Sequence, residues 1–420
     1  MEKSSIAGNR IVLALCACVI GGVLNFLAMS PFYPEMSSDL GVSVSVVGQL
    51  VTFMVLLSAI LGLVLGPVVD RYGFRRLLVL GVVCVSINQI GVGLAPGFPI
   101  MLGVSFIGGF GDALIFGIAF ATAGTLFVDG ERKQAFSFLT GSMSLGAIIG
   151  IPLLTIIGSA TSWRVALIFC GLAIAAAALF AARVLPGDQK RVESQWNLQV
   201  FRDAYAPLLR DSATVRLLLV TAIRAICWMG FLTYMGAYLS EAQDLSTRQI
   251  GFVYMIGAIG FAIGCSIAGR TFGPERTRQA VGIGCVASAI LTMAALSASS
   301  AWLAVALITL LAMVSAVVGI GATFLVSTAS PAEQGTTMLL NGSMVNFGTA
   351  AGAAIGGGLI ALNGYQALGM GLPIFALIGA ALVLWPQRTS SIASVHHPSG
   401  DGLLEPVVVP VAETKTGAPI

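Results

Sequence analysis

Charge is what this sequence has least of. Asp, Glu, Lys and Arg make up 9% of its 420 residues, where a soluble domain carries about 25%. So few charges could not cover a water-facing surface on a chain this long, so lipid is the solvent for most of it. Histidine is almost missing: the two, His396 and His397, stand side by side near the C-terminus. None of the seven cysteines has metal-ligand spacing to them, so no zinc site is legible. All seven lie inside apolar stretches and are expected as buried free thiols. No Gly-x-x-x-x-Gly-Lys-Ser/Thr loop is present, so no ATP motor is visible. Neither a cofactor nor a nucleic-acid partner is expected. A membrane-embedded enzyme would need clustered His, Asp or Glu within the apolar runs, and only one acid and no His lies there.

What the chain does have is apolar length. Hydrophobic residues are 57% of it, and its mean hydropathy is +0.96. Lipid permits only helices or closed barrels. Barrel strands alternate apolar and polar residues over ~10-residue segments; here the runs are near-continuous and approach the ~20 residues a spanning helix needs. The 51 glycines suit close helix packing in lipid. Twelve spans are predicted: 11–32, 44–69, 77–95, 99–127, 135–158 and 163–184, then 215–240, 247–269, 278–298, 301–328, 337–362 and 366–385. Lys3 and Arg10 precede the first run, which is too long for a signal-peptide core. With the N-terminus in the cytoplasm, 18 of the 21 Lys and Arg residues fall on the inner side. Only Arg164 and Arg248 fall outside, and Arg224 is left within a span. This satisfies the positive-inside rule and places both termini in the cytoplasm.

The halves repeat. Gly141-Ser142-Met143 matches Gly342-Ser343-Met344 at an offset of 201, and Asp39-Leu40 matches Asp244-Leu245 at 205. The predicted organisation is a six-helix bundle over 1–185, a cytoplasmic linker over 186–214, a second bundle over 215–386 and a disordered cytoplasmic tail over 387–420. In the linker, Trp196, Val200, Phe201, Tyr205, Leu208 and Leu209 fall at helical spacing among charges, which predicts an amphipathic helix on the membrane surface.

The loop after the second span reads Gly66-Pro67-Val68-Val69-Asp70-Arg71-Tyr72-Gly73-Phe74-Arg75-Arg76. Asp70 stands at a helix C-terminus, the wrong end for a carboxylate, so it needs a partner. This loop resembles the signature of the major facilitator superfamily, with Phe74 where an Arg is usual. The resemblance covers all twelve spans. It implies an all-α membrane fold of two pseudo-symmetric six-helix bundles with a substrate site between them. It also implies that Gly66, Asp70, Arg71, Gly73, Arg75 and Arg76 form a cytoplasmic latch between the halves when the carrier faces outward.

The fifth span carries Gly146, Gly150 and Pro152 and is followed by Ser162-Trp163-Arg164. It resembles the Gly-rich, Pro-containing fifth helix of the drug:proton antiporter and sugar-efflux branch, with Ser162 where Gly is usual. The two glycines suit tight packing, and the proline can kink the helix. The resemblance puts this helix at the interface between the halves, and Gly260, Gly264, Gly348, Gly352 and Gly356 fit the same kind of interface. The fourth span lacks the early Arg of many proton-driven drug exporters, so proton coupling does not carry over from that motif.

Asp112 is the only acid deep in a predicted span and Arg224 the only base. A charge at the bilayer centre costs at least ~2.5–3.5 kcal/mol and needs a partner or water. By resemblance, spans 1, 4, 7 and 10 line the central cavity. Asp112 lies on span 4, Arg224 on span 7, Asn25 on span 1 and Asn346 on span 11, with Trp228 one turn beyond Arg224. Two arrangements stay open: a direct Asp112–Arg224 pair, or Asp112 as the coupling or substrate-cation residue with Arg224 holding an anionic substrate group. The predicted function is export of a small organic molecule across the cytoplasmic membrane, driven by protons, by a monomeric carrier in the lipid bilayer. The rivals are a proton-coupled importer and a non-transporting sensor on the same scaffold.

Overall fold

The computed structural model describes residues 2–127, 129–187, 198–268, 274–329 and 334–385. The predicted tail lies outside the described residues. Every described element is a helix: α1 (Glu2–Leu27), a 3-10 turn (Ser30–Phe32), α2 (Tyr33–Leu40), α3 (Val44–Tyr72), α4 (Phe74–Leu94) and α5 (Phe98–Leu126). After them come α6 (Asp129–Leu145), a π-helical turn (Gly146–Gly150), α7 (Ile151–Ala160), α8 (Trp163–Val184) and α9 (Leu198–Arg210). The last are α10 (Ser212–Glu241), α11 (Thr247–Ala268), α12 (Pro274–Leu296), α13 (Ala301–Ala329) and α14 (Gln334–Leu384).

Eleven of these runs are long and apolar enough to cross a membrane, the last over 49 residues. At 1.5 Å per residue that last run would reach more than twice the ~30 Å of a hydrocarbon core. It breaks where Asn363 and Gly364 leave helical geometry, Gly364 at φ 60 and ψ −152. The two pieces are spans 11 and 12, which makes twelve. Spans 1 to 4 are thus α1, α3, α4 and α5. Span 5 is α6 with the π turn and α7, and span 6 is α8. Spans 7 to 10 are α10 to α13.

Local sequence explains the ends. Gly73 sits at φ 85 between α3 and α4, a conformation that disfavours any side chain. Ser162 caps α8 through Val165 N–H at 3.3 Å, and Asp211 caps α10 through Thr214 N–H at 2.8 Å. Pro152 is the second residue after the π turn. A proline cannot donate to the preceding turn, so the predicted kink takes the form of a bulge. The short α2 and the 3-10 turn after span 1 were not predicted.

The packing repeats between halves. Span 3 packs on spans 4 and 6, and span 9 on spans 10 and 12; span 4 also packs on span 2, as span 10 does on span 8. Across the halves, span 2 meets span 11 and span 5 meets span 8. One end of this seam is closely built. Ser30 Oγ donates to the Thr233 carbonyl at 2.8 Å and accepts from Tyr254 Oη at 2.6 Å. A Cβ on Gly236 would lie 2.3 Å from the Ser30 carbonyl oxygen. Thr247 donates to Glu35, and Tyr33 meets Tyr234 edge-on at 6.2 Å.

The predicted linker helix forms as α9. Leu208 is buried, and Tyr205 Oη donates to the Leu63 carbonyl of span 2 at 2.9 Å. Leu209 points away, 62% exposed. Trp196 and the side chains of Val200 and Phe201 lie outside the described residues.

Candidate polar sites within the two halves

Asp112 stands midway along span 4, and a run of small residues sets it there. Cβ atoms on Gly108, Gly109 and Gly111 would lie 2.6 Å from the Asn88 side chain, 2.2 Å from the Met54 carbonyl and 2.6 Å from the Gly81 carbonyl. Glycine at these positions lets span 4 settle against spans 2 and 3, which brings its carboxylate into a buried cluster of amides. Asn88 Nδ2 donates to Asn25 Oδ1 at 2.7 Å, and Gln89 Nε2 to the same oxygen at 3.2 Å. Gln89 Nε2 also reaches the Asn25 carbonyl at 3.2 Å. Asn25 Nδ2 meets Met54 Sδ at 3.3 Å, and the Asn25 side chain faces the Asp112 carboxylate.

The cluster is unbalanced. Asp112 Oδ1, Asn88 Oδ1 and Gln89 Oε1 are buried and accept nothing from the described residues. Each orphaned buried acceptor costs about 1–3 kcal/mol. One carboxylate oxygen and two amide oxygens without donors leave the site short of positive charge, which a proton or another cation would supply.

Arg224 has the opposite surroundings. It lines a small cavity with Trp228, Cys285, Ser288 and Ser315, drawn from spans 7, 9 and 10, which Ala376 of span 12 helps to close. The space, partly open, is about 10 Å³, about the room one water needs. Arg224 Nε and Ser315 Oγ are buried without a partner among the described residues. The guanidinium also lies beside Gly319, where a Cβ would be 3.3 Å from Nη1. Trp228 stacks on Phe261 at 6.4 Å, with Phe231 tilted beside it at 6.3 Å.

The structure therefore does not bring Asp112 and Arg224 together. Asp112 faces Asn25 in the first half, and Arg224 shares its cavity with the neutral Cys285 thiol of the second. Neither has an ion-pair partner among the described residues. The direct pair is corrected: Asp112 is buried among the spans of the first half, and Arg224 is half-buried among those of the second. Asn25 does join Asp112, and Trp228 does join Arg224. Asn346 joins neither; its Nδ2 donates to Ser58 Oγ at 3.3 Å, tying span 11 to span 2 across the seam.

The glycine predictions divide too. Gly260 and Gly264 press on Thr309 and Met313 of span 10, and Gly348 and Gly352 on Ala222 and Ile226 of span 7. Gly356 meets Tyr234 of span 7, and Gly146 and Gly150 approach Ile20 and Leu24 of span 1. At all seven an added Cβ would meet atoms of the same half, although the Gly146–Gly150 turn of span 5 itself packs on span 8 across the seam, as the resemblance implies. Glycines where an added Cβ would meet the other half are Gly48, Gly62, Gly117, Gly236, Gly251 and Gly357. Of the predicted latch, Gly66 is helical in α3, and the side chains of Asp70 and Arg71 lie outside what the structure describes. Arg75 donates to the Ala182 carbonyl near the end of span 6, and Arg76 is exposed. Ser162-Trp163-Arg164 ties loops together: Trp163 Nε1 donates to Asp39 at 2.7 Å, and Arg164 Nη1 to the Ala95 carbonyl at 2.6 Å. The seven cysteines are free.

Comparison with known proteins agrees with this architecture. The Major Facilitator Superfamily family model matches residues 13–277, more than half of the chain. A chloramphenicol resistance protein of Streptomyces lividans is 23% identical over 62% of this chain and 65% of its own length. The match thus spans just under two thirds of that relative. An uncharacterized transporter of Bacillus subtilis, YbcL, is 22% identical over 92% of this chain and 98% of its own. The crystal structure of the human organic anion transporter MFSD10 superposes with a TM-score of 0.68, at 19% identity, over 90% of this chain and 99% of that one. The matched family, the helix-by-helix repeat and the twelve spans lead to one conclusion: this multi-pass membrane protein belongs to the major facilitator superfamily, whose members are secondary transporters of small molecules and not enzymes.

Proposed function

We propose that the chain is a proton-driven exporter of a small organic molecule in the cytoplasmic membrane, with both termini inside. The observation that carries this reading is the donor-poor cluster around Asp112. A proton on Asp112 turns an orphaned acceptor into a donor within a cluster that lacks them; its release returns the charge. A carboxylate that alternates between these states at mid-membrane is a coupling element, and no other acid is placed for it. The division of basic residues supports the orientation, and the chloramphenicol relative supports export. In that orientation the closely built seam at Ser30 faces outward, and Gly66, Asp70, Arg71, Gly73, Arg75 and Arg76 lie at the cytoplasmic face, where they serve as the latch. The bundles 1–185 and 215–386 rock about the contacts between spans 2 and 11 and between spans 5 and 8, and Asn346 with Ser58 is one hinge-side link of that seam.

Everted membrane vesicles test this. Energised vesicles containing the protein should accumulate a compound from a panel that includes chloramphenicol, and collapse of the pH gradient should release it. Accumulation only in right-side-out vesicles would make the protein an importer. Labelling of single cysteines placed at Ser4, Ser246 and Ser399 tests the orientation; outside reagent should reach Ser246 alone.

A further inference from the structure

We infer that the cavity beside Arg224 is a binding site for a small monoanion, held within the second half by Arg224 and Ser315. The inference does not depend on proton coupling or on the direction of transport. It starts from a cation that cannot neutralise itself, since a guanidinium stays protonated in proteins. In an apolar bundle such a charge needs a counter-charge or water. Arg224 makes no hydrogen bond or ion pair with any described residue, and its Nε is buried without a partner. No carboxylate lines the cavity.

The walls fit an anion. Ser315, whose buried Oγ has no partner among the described residues, lines the same space, with Ser288 on the third contributing span. Two hydroxyls and a guanidinium are donors that can all turn toward one acceptor. The remaining walls are apolar or weakly polar: Cys227, Trp228, Leu311, Val318 and Ala376. An unhydrated cation would find only repulsion there. The space of about 10 Å³ holds one compact atom group and excludes a bulky dianion. A halide and the carboxylate head of an organic molecule share that chemistry. For a carboxylate, the Trp228, Phe231 and Phe261 rings supply an aromatic surface next to the charge.

The test is binding to the purified full chain in lipid nanodiscs, read by thermal unfolding and by tryptophan fluorescence. Sulfate is replaced at constant ionic strength by chloride, by acetate or by benzoate. The expected result is a saturable rise in melting temperature with at least one monoanion, lost in Arg224→Gln and weakened in Ser315→Ala. A response to chloride and the carboxylates alike identifies a site for free anions. A response to benzoate or acetate without chloride identifies a head-group site for an acidic substrate. If Arg224→Gln does not fold, Ser315→Ala and Arg224→Lys carry the test, because both keep the charge and alter only the donor geometry. No response to any of the three anions in the parent, or equal responses in the parent and these variants, overturns the site.

Discussion

The two halves share one architecture and differ in what they bury. A shift of 203 residues, between the 201 and 205 of the matched motifs, carries Asp112 to Ser315 and Asn25 to Trp228. So the acid cluster of spans 1, 3 and 4 and the Arg224 cavity of spans 7, 9 and 10 occupy equivalent places. The first is filled with amides and is short of donors; the second holds a guanidinium and a hydroxyl and is short of acceptors. A repeated scaffold supplies two mid-membrane sites, and side chains give them opposite hydrogen-bond balance. In the proposed reading, one half takes a proton and the other an anion.

The largest expected effect comes from Asp112→Asn. Gradient-driven transport should fall to background. The protein should nevertheless be as stable as the parent, or about 1 kcal/mol more stable, because an amide adds donors where they are lacking. Thermal unfolding beside vesicle transport checks both. A large loss of stability would mean that the cluster already holds the charged carboxylate well, and the contrast between halves would fail.

The next effect concerns the seam. Gly236→Ala pushes a methyl group into the Ser30 backbone, which cannot swing aside as a side-chain tip can. It should cost the closed arrangement about 1–3 kcal/mol and raise the labelling of a cysteine placed at Ser246. Unchanged labelling and unfolding would show that the halves meet more loosely there than Gly236 implies.

A smaller effect marks the start of the second half. Burial alone would raise the Asp211 pKa, but the Thr214 hydroxyl and the N–H groups of Thr214 and Ala213 hold it below its ordinary value. A depressed folded pKa gives stability that is present above the ordinary carboxylate range and lost as pH falls through the folded value. Asp211→Ala should cost about 0.5–2 kcal/mol. Asp211→Asn should keep most of the cap and lose the acid dependence. Hydrogen exchange of the first turn of span 7, at neutral and acid pH, measures this.

The smallest expected effect is a near-zero coupling. Asp112 and Arg224 share no partner, so Asp112→Asn and Arg224→Gln should add within about 0.5 kcal/mol in unfolding. A double variant markedly more stable than the sum would restore the direct pair.

Much of this was legible in the sequence. Twelve spans followed from run length, and the family from Gly66 to Arg76. Asp112 and Arg224 stood out because charge in an apolar run is costly. Their partners did not stand out. Asn88 and Gln89 are uncharged, and a search for charges passes over them, although two adjacent amides in an apolar run carry the same warning. The Asp112–Arg224 pair is one of the two arrangements that elimination leaves open, as each is the other's only deep counter-charge; packing separates them because each lies among its own half's spans. Glycine spacing showed tight packing but not against which neighbour. The break at Asn363 and Gly364 was placed correctly, since the two apolar runs together exceed one bilayer crossing.

The central claim is that Asp112 couples transport to protons. Its most direct test compares uphill and downhill movement of one transported compound in proteoliposomes, for the parent and Asp112→Asn. The account predicts that the variant exchanges the compound down its gradient near the parent rate, yet gains no accumulation from an imposed pH gradient. Uphill accumulation by Asp112→Asn equal to that of the parent would contradict it.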